Sequence, residues 1–370
     1  MKERCYKCEV ELTKENFSTE HIILNACGGK LKSDSLLCKK CNSSFGDSFD
    51  KELAKTITPL ANLLRIKRDR GTPPKINGLD ILNNTEYILD HNGAISHKKP
   101  SIQKIDFDNP DISKRKFQIK VPNQKMLKQV LNGLKRKHPD LDVEKALEEL
   151  NQTEEPFDKE LEIKMSFGGT DTFKSIIKTA INFYILNGGE RNEIKHLFEF
   201  LDGNKEMNNV WFHYPDKDVY NYKEGEITHI IKLKGNKNEK ILYAYIELFN
   251  SHCFIIKLNE NYTGKDLNVD YIFNIHNHKI IDESINLNLK RQELLDLFIN
   301  KNANFTSKVQ EKLNRILQIS KKNDLKNEIS KSVNKIFTKN IGKKVDDVIL
   351  KELENEFFKI IKPHINYKTK

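Results

Sequence analysis

The residues of this chain best suited to chemistry lie within its first fifty positions. Cys5-Tyr-Lys-Cys8 and Cys38-Lys-Lys-Cys41 form two C-x-x-C pairs with 29 residues between them. Each pair turns the chain so that two thiolates face one ion, and two such pairs make the ligand set of a tetrahedral zinc site. A closed site of four thiolates offers no open coordination position. Zinc here is therefore structural, and any reaction must be carried by the residues that the cysteines bracket. Those residues include Glu20-His21 and, directly after the second pair, Asn42. An imidazole titrates near neutrality and can take a proton from water. A carboxylate and an amide oxygen are the ligands that a hard cation such as magnesium or manganese prefers. Hydrolysis of a phosphodiester needs both functions, an activated water and charge relief on the phosphorane. Plainer roles compete at each position: His21 as a core histidine, Glu20 as a surface carboxylate, Asn42 as a helix N-cap.

The intervening sequence must position these groups. Glu20-His21-Ile22-Ile23 is β-prone, Gly28-Gly29 permits a sharp turn, and Ser35-Leu36-Leu37 can return as a second strand. After Cys41, Phe45, Phe49 and Leu53 recur every four residues, which predicts an amphipathic helix. The order is strand, turn, strand, helix, with zinc tying the entry to the helix start. So small a unit has few large apolar groups and needs a staple. Neighbours on a strand point to opposite faces, so Glu20 and His21 can share a site only where the strand ends or is distorted. Cys27 and Cys253 are unpaired and read as small buried hydrophobes.

This series of C-x-x-C, E-H-I-I, G-G and C-x-x-C-N, followed by F-G, D and L, resembles the HNH endonuclease family, specifically its bacterial stand-alone branch. The resemblance covers about residues 1–60. It implies a ββα-metal finger with His21 as general base and Glu20 and Asn42 as ligands of a catalytic magnesium or manganese ion. It also implies DNA as substrate, and a place in defence against phage or plasmid DNA. The sequence departs from the family pattern in one respect. The loop residue that orients the general base is normally Asn, whereas this loop reads Lys32-Ser33-Asp34-Ser35, so the role falls to Ser33 or, preferably, Asp34. Asp50 is either a supporting residue or a solvated one.

The rest of the chain is read from pattern. It has 370 residues, 37% hydrophobic and 31% charged, enough apolar material for a core. The net charge of +10 divides unevenly: residues 1–75 and 290–370 are basic, and 76–289 is mildly acidic. Arg65, Lys67, Arg68 and Arg70 could grip phosphates next to the finger. Gly71-Thr-Pro73-Pro74 predicts a boundary. The expected domains are 1–72, the finger; 75–289, an α+β domain built on an antiparallel sheet with a buried central helix over 170–186; and 290–370, a basic helical region. The overall class is α+β. The helical end could clamp DNA, bind a partner protein or form a homo-oligomer. No nucleotide-binding loop, nucleophile elbow or internal repeat is present. No membrane partner is expected, and the start lacks an apolar signal region, so the chain reads as cytoplasmic. Two rival readings are a non-catalytic zinc-finger binding or adaptor protein and an RNA-directed nuclease.

Overall fold

A computed structural model describes residues 3–105, 110, 116–139, 141–149, 160–204, 208–301 and 305–365. The chain folds as two units, Met1–Gly71 with Phe167–Lys370, and Thr72–Ser166. This differs from the expected segments 1–72, 75–289 and 290–370. The physical reason is that the N-terminal elements have too little apolar surface to close a core alone, and they bury it against the helix that begins at Thr170.

In the first unit, strand β1 (Phe17–His21) pairs antiparallel with β2 (Lys32–Cys38), placing Glu20 opposite Ser33 and His21 opposite Lys32. The register is irregular between Ser18 and Glu20, and β1 ends at His21. The turn between the strands requires its glycines. A Cβ on Gly29 would lie 2.0 Å from the Ile23 carbonyl oxygen, and Gly28 sits at φ +84°. Helix α1 (Lys39–Phe45) follows directly, then a π-helical turn, Gly46–Asp50, then α2 (Lys51–Leu63). Ser48 leaves helical dihedrals inside that turn (φ −105°, ψ −109°), so the apolar stripe of Phe45, Phe49 and Leu53 runs across a kink. Arg65 adopts a left-handed φ of +52° just past α2 and turns the chain back.

The second unit holds a three-stranded antiparallel sheet, β3 (Ile76–Asp80), β4 (Thr85–Leu89) and β5 (Ile95–His97). A two-stranded ladder, β6 (Ser101–Ile105) with β7 (Lys116–Lys120), precedes α3 (Gln124–Lys137) and α4 (Val143–Glu148). Leu127, Leu131 and Leu134 form a small core under α3. The periodicity over 126–150 reads as helix with a break at Pro139, and α3 and α4 lie on either side of that proline; Leu150 lies outside the described residues. The pattern over Leu161–Phe167 reads as a strand. In the structure it reduces to one antiparallel bridge, Glu162 to Leu79 of β3, and the segment's polar residues Glu162, Lys164 and Ser166 stay exposed.

The first unit resumes with α5 (Thr170–Leu186), then two short helices, α6 (Arg191–Ile194) and α7 (Phe198–Leu201). Six antiparallel strands follow: β8 (Val210–Phe212), β9 (Thr228–Asn236), β10 (Ile241–Leu248), β11 (His252–Asn259), β12 (Leu267–Asn274) and β13 (Lys279–Ile281). Their spatial order is β13-β12-β9-β10-β11-β8. One face of the sheet, through Ala244, Ile246, Phe254 and Ile256, shares a core with Ile176, Ile177, Ala180 and Ile181 of α5. Ile22, Leu36, Phe45, Phe49 and Leu53 of the N-terminal elements belong to that same core. Full burial of each such side chain is worth about 1.5–3 kcal/mol. The opposite face, with Ile230, Tyr243, Tyr245 and Ile255, packs on Leu294 and Phe298 of α8 (Arg291–Ile299). The chain continues into α9 (Thr306–Lys339) and α10 (Asp347–Ile365), which pack on each other. Ser320 of α9 donates to the Leu63 carbonyl at 2.9 Å. No helix among the described residues is long and apolar enough to cross a membrane.

Candidate active site

The two C-x-x-C pairs meet in space. Cys5 and Cys8 lie before β1, Cys38 ends β2, and Cys41 is in the first turn of α1. Their four Sγ atoms all lie within 4.8 Å of one another, and Cys8 Sγ is 3.7 Å from Cys38 Sγ. Tetrahedral zinc with Zn–S bonds near 2.3 Å places its sulfurs about 3.8 Å apart, so the donor set fits zinc in type and spacing. The four cysteines could hold one zinc ion that joins the entry loop, β2 and α1.

The two adjacent residues at the end of β1 diverge. His21 turns toward the segment that follows α2, and its Nε2 lies 3.3 Å from Oδ2 of Asp69. Asn25 fixes that segment, because its Oδ1 accepts from the Asp69 backbone N–H at 2.8 Å. Lys30 and Lys32 also ion-pair with Asp69. Hydrogen bonds from Lys30, Lys32 and His21 hold the Asp69 carboxyl well below the usual carboxylate range. Burial pulls the His21 imidazole below its ordinary value, and the Asp69 hydrogen bond opposes this only in part. The result is a neutral imidazole beside a firmly ionised carboxylate. Such a carboxylate selects the tautomer with the proton on Nε2 and leaves Nδ1 free to accept.

Glu20 turns the other way, into the core. It is 4% exposed. Its Oε1 lies 2.5 Å from Nζ of Lys178 on α5 and accepts from Asn182 Nδ2 at 2.9 Å. The same ammonium lies 2.5 Å from Oδ2 of Asp50, whose Oδ1 accepts from Ser175 Oγ at 2.5 Å. Tyr6, inside the first cysteine pair, donates to Asn182 Oδ1 at 2.8 Å. A hydrogen-bonded chain thus runs Tyr6–Asn182–Glu20–Lys178–Asp50–Ser175. Burial alone would lower the Lys178 value, but Asp50 and Glu20 together hold its ammonium above the ordinary lysine range. Burial pushes Glu20 up, with a smaller contribution from the neighbouring Asp50, against the pull of Lys178 and Asn182.

The other expected residues are placed as follows. Asn42 lies within α1, is half-buried, and donates from Nδ2 to Ser18 Oγ at 2.8 Å. Asp34 is exposed on β2, and it is Asp69 that stands at His21. Asp50 is buried, not solvated. Of the basic group, Arg65 pairs with Asp324 of α9 at 2.7 Å, and Lys67 and Arg70 are exposed. Arg68 is half-buried, and its Nε and Nη2 find no hydrogen-bond partner among the described residues. Glu20 and Asn42 do not present an open cation site in this arrangement, since the Glu20 oxygen is held by Lys178 and Asn182 under α5. Asp69, Lys178 and Asn182 have no sequence signal that marks them. They reach the site over 48, 158 and 162 positions, respectively, beyond the range of any local pattern.

No curated protein and no solved structure gives a significant match to the chain. One family model does match, described as HNH endonuclease, over residues 5–58. That span takes in all four clustered cysteines, Glu20, His21, Asn42 and Asp50. The chain therefore carries an HNH endonuclease domain at residues 5–58.

Proposed function

We propose that this domain is a zinc-stapled ββα nuclease that hydrolyses phosphodiester bonds of DNA, with His21 as the general base. The observation that carries the reading is the family match over the residues that hold His21. His21 Nδ1 takes a proton from the attacking water, while Asp69, on Nε2, holds the ring in the tautomer that leaves Nδ1 free. The ion pairs of Lys30 and Lys32 keep Asp69 ionised for that task and place positive charge beside the approaching phosphate. Exposed Lys67 and Arg70 extend the same basic surface. A divalent cation, where HNH nucleases bind one, supplies charge relief to the phosphate and the leaving oxygen. Glu20 does not fit that role while Lys178 is in place. The resemblance to stand-alone bacterial proteins supports phage or plasmid DNA as the target class.

A second reading, a zinc-bound module that binds without cutting, is favoured by the burial of Glu20. Plasmid cleavage separates the two. Wild type and His21→Ala are compared with zinc retained in both, with and without magnesium or manganese, and with single-stranded RNA as a parallel substrate. Cleavage by wild type and its loss in His21→Ala is expected. Equal cleavage by both removes His21 from the mechanism. No cleavage of any substrate by wild type favours the binding module, and cleavage of RNA alone reassigns the substrate.

A further inference from the structure

We propose that Lys178 is the resident cation of the Glu20–Asp50 pair and excludes a divalent metal ion from Glu20. The geometry is that of a filled site. The Lys178 ammonium lies 2.5 Å from a carboxylate oxygen of each acid, and the side chains of all three are nearly inaccessible, at 2%, 5% and 8% for Lys178, Glu20 and Asp50. The remaining donors are committed to the same carboxylates: Asn182 to Glu20 and Ser175 to Asp50. The Phe45 ring closes one side, its centroid 5.8 Å from Nζ.

A magnesium ion needs oxygen ligands at about 2.0–2.1 Å in near-octahedral geometry and keeps several waters. At the Glu20 oxygen such an ion would stand against a like-charged ammonium, among side chains that solvent barely reaches. Lys178 cannot swing aside into solvent either. It rises from the centre of a helix whose flanking residues, Ile177, Thr179 and Ile181, are buried. Ammonium and metal ion are therefore alternatives at Glu20, and α5 supplies the ammonium. The same contact has an architectural consequence. It joins β1 to the π-helical turn through α5, so the carboxylates set the placement of the HNH domain on the sheet.

This inference rests on the nuclease reading only in treating Glu20 as the carboxylate at which a metal is expected. Its test uses no nucleic acid, so it fails separately from the cleavage assay. Manganese binding is measured by the loss of the free-ion electron paramagnetic resonance signal, on the full-length, zinc-loaded chain. Wild type and Glu20→Gln should take up manganese equally. Loss of one bound ion in Glu20→Gln overturns the proposal. Lys178→Met, similar in length but uncharged, should gain one site at least about tenfold tighter than any in wild type. Adding Glu20→Gln to Lys178→Met should abolish that gain. A folded Lys178→Met chain that gains no manganese also overturns it. Where Lys178→Met does not fold without metal, the comparison of wild type with Glu20→Gln decides.

Discussion

Nε2 of His21 and Oδ2 of Asp69 lie 3.3 Å apart, though 48 positions separate them. The contact exists because α2 ends in a left-handed residue, Arg65, and the chain doubles back over the β1–β2 turn. Ile66 seats against Gly28, where a Cβ would come within 2.6 Å of its Cγ2, and Asn25 then clamps the Asp69 backbone. The segment expected to be a strip of phosphate contacts thus also delivers a carboxylate to the imidazole.

Asp69→Ala should lower the single-turnover cleavage rate by about 10- to 100-fold with little change in substrate affinity, since misorienting a reacting group acts on the chemical step. Asp69→Asn, whose Oδ1 still accepts from Nε2, should recover part of the rate. The ¹⁵N shifts of the His21 ring report the tautomer directly. An unchanged tautomer in Asp69→Ala would show that Asp69 does not orient the ring.

Removal of zinc, by chelation or Cys38→Ser, should unfold the β1–β2 hairpin and α1 while leaving the six-stranded sheet intact. Metal binding free energy is folding free energy where the ligands come from elements that do not otherwise hold together. The face of the sheet that packs on α8 has a core without any N-terminal residue, and α5 still covers the other face, so the loss should be local. Hydrogen exchange should rise across residues 17–45 and stay slow in β9, β10 and β11. Global melting with zinc loss would show instead that the shared core cannot stand without the hairpin.

The hydroxyl of Tyr6 satisfies Asn182, which is fully buried. Tyr6→Phe keeps the ring and its packing but strands the Asn182 oxygen, and should destabilise the chain by about 1–3 kcal/mol. Urea unfolding measures this. A change within about 0.5 kcal/mol would mean that water or a rotated amide replaces the bond.

Some of this architecture is legible in the sequence and some is not, and the difference is one of range. The zinc ligands are readable because C-x-x-C is a local turn with a fixed purpose, repeated. Helix α5 is readable because Phe173, Ile176, Ile177, Ala180, Ile181 and Tyr184 make a broad apolar face along its length and Gly188 follows. On that same helix the sequence does not mark Lys178, since nothing in its neighbours tells of two carboxylates 158 and 128 positions away. The division of the chain is hidden for a like reason. A boundary near Gly71 carries turn residues, whereas the return to the first unit at Phe167 is set only by which core α5 enters. Glu20 shows the limit of the motif itself. E-H fixes the order of two residues, and the partner helix determines what each one faces.

Acid should destabilise the fold before most carboxylates titrate. Burial pulls His213 and His229 down to about 4 and His252 to about 3. The tautomer of His229 is set on both sides: Nε2 donates to the Cys27 carbonyl at 2.8 Å, and Nδ1 accepts from the Phe249 N–H at 3.3 Å. The unfolded chain protonates these rings near pH 6.5, and the folded chain does not until far lower. Their contribution is therefore fully present above about pH 6.5 and is lost as pH falls through the window down to about 4. Within that window each ring costs about 1.4 kcal/mol per pH unit. The depressed Asp69 adds to the loss only at lower pH, and the raised Glu20 acts in the opposite sense. Urea unfolding from pH 7.5 to pH 5 should show stability falling with a slope of up to three protons from these rings, to which His21 and His276, also pulled down by burial, add. His229→Gln can still donate to Cys27 and should remove about one proton from that slope. A slope unchanged in His229→Gln would mean that His229 already carries its proton in the folded chain, and the Phe249 N–H would then have no acceptor on the ring.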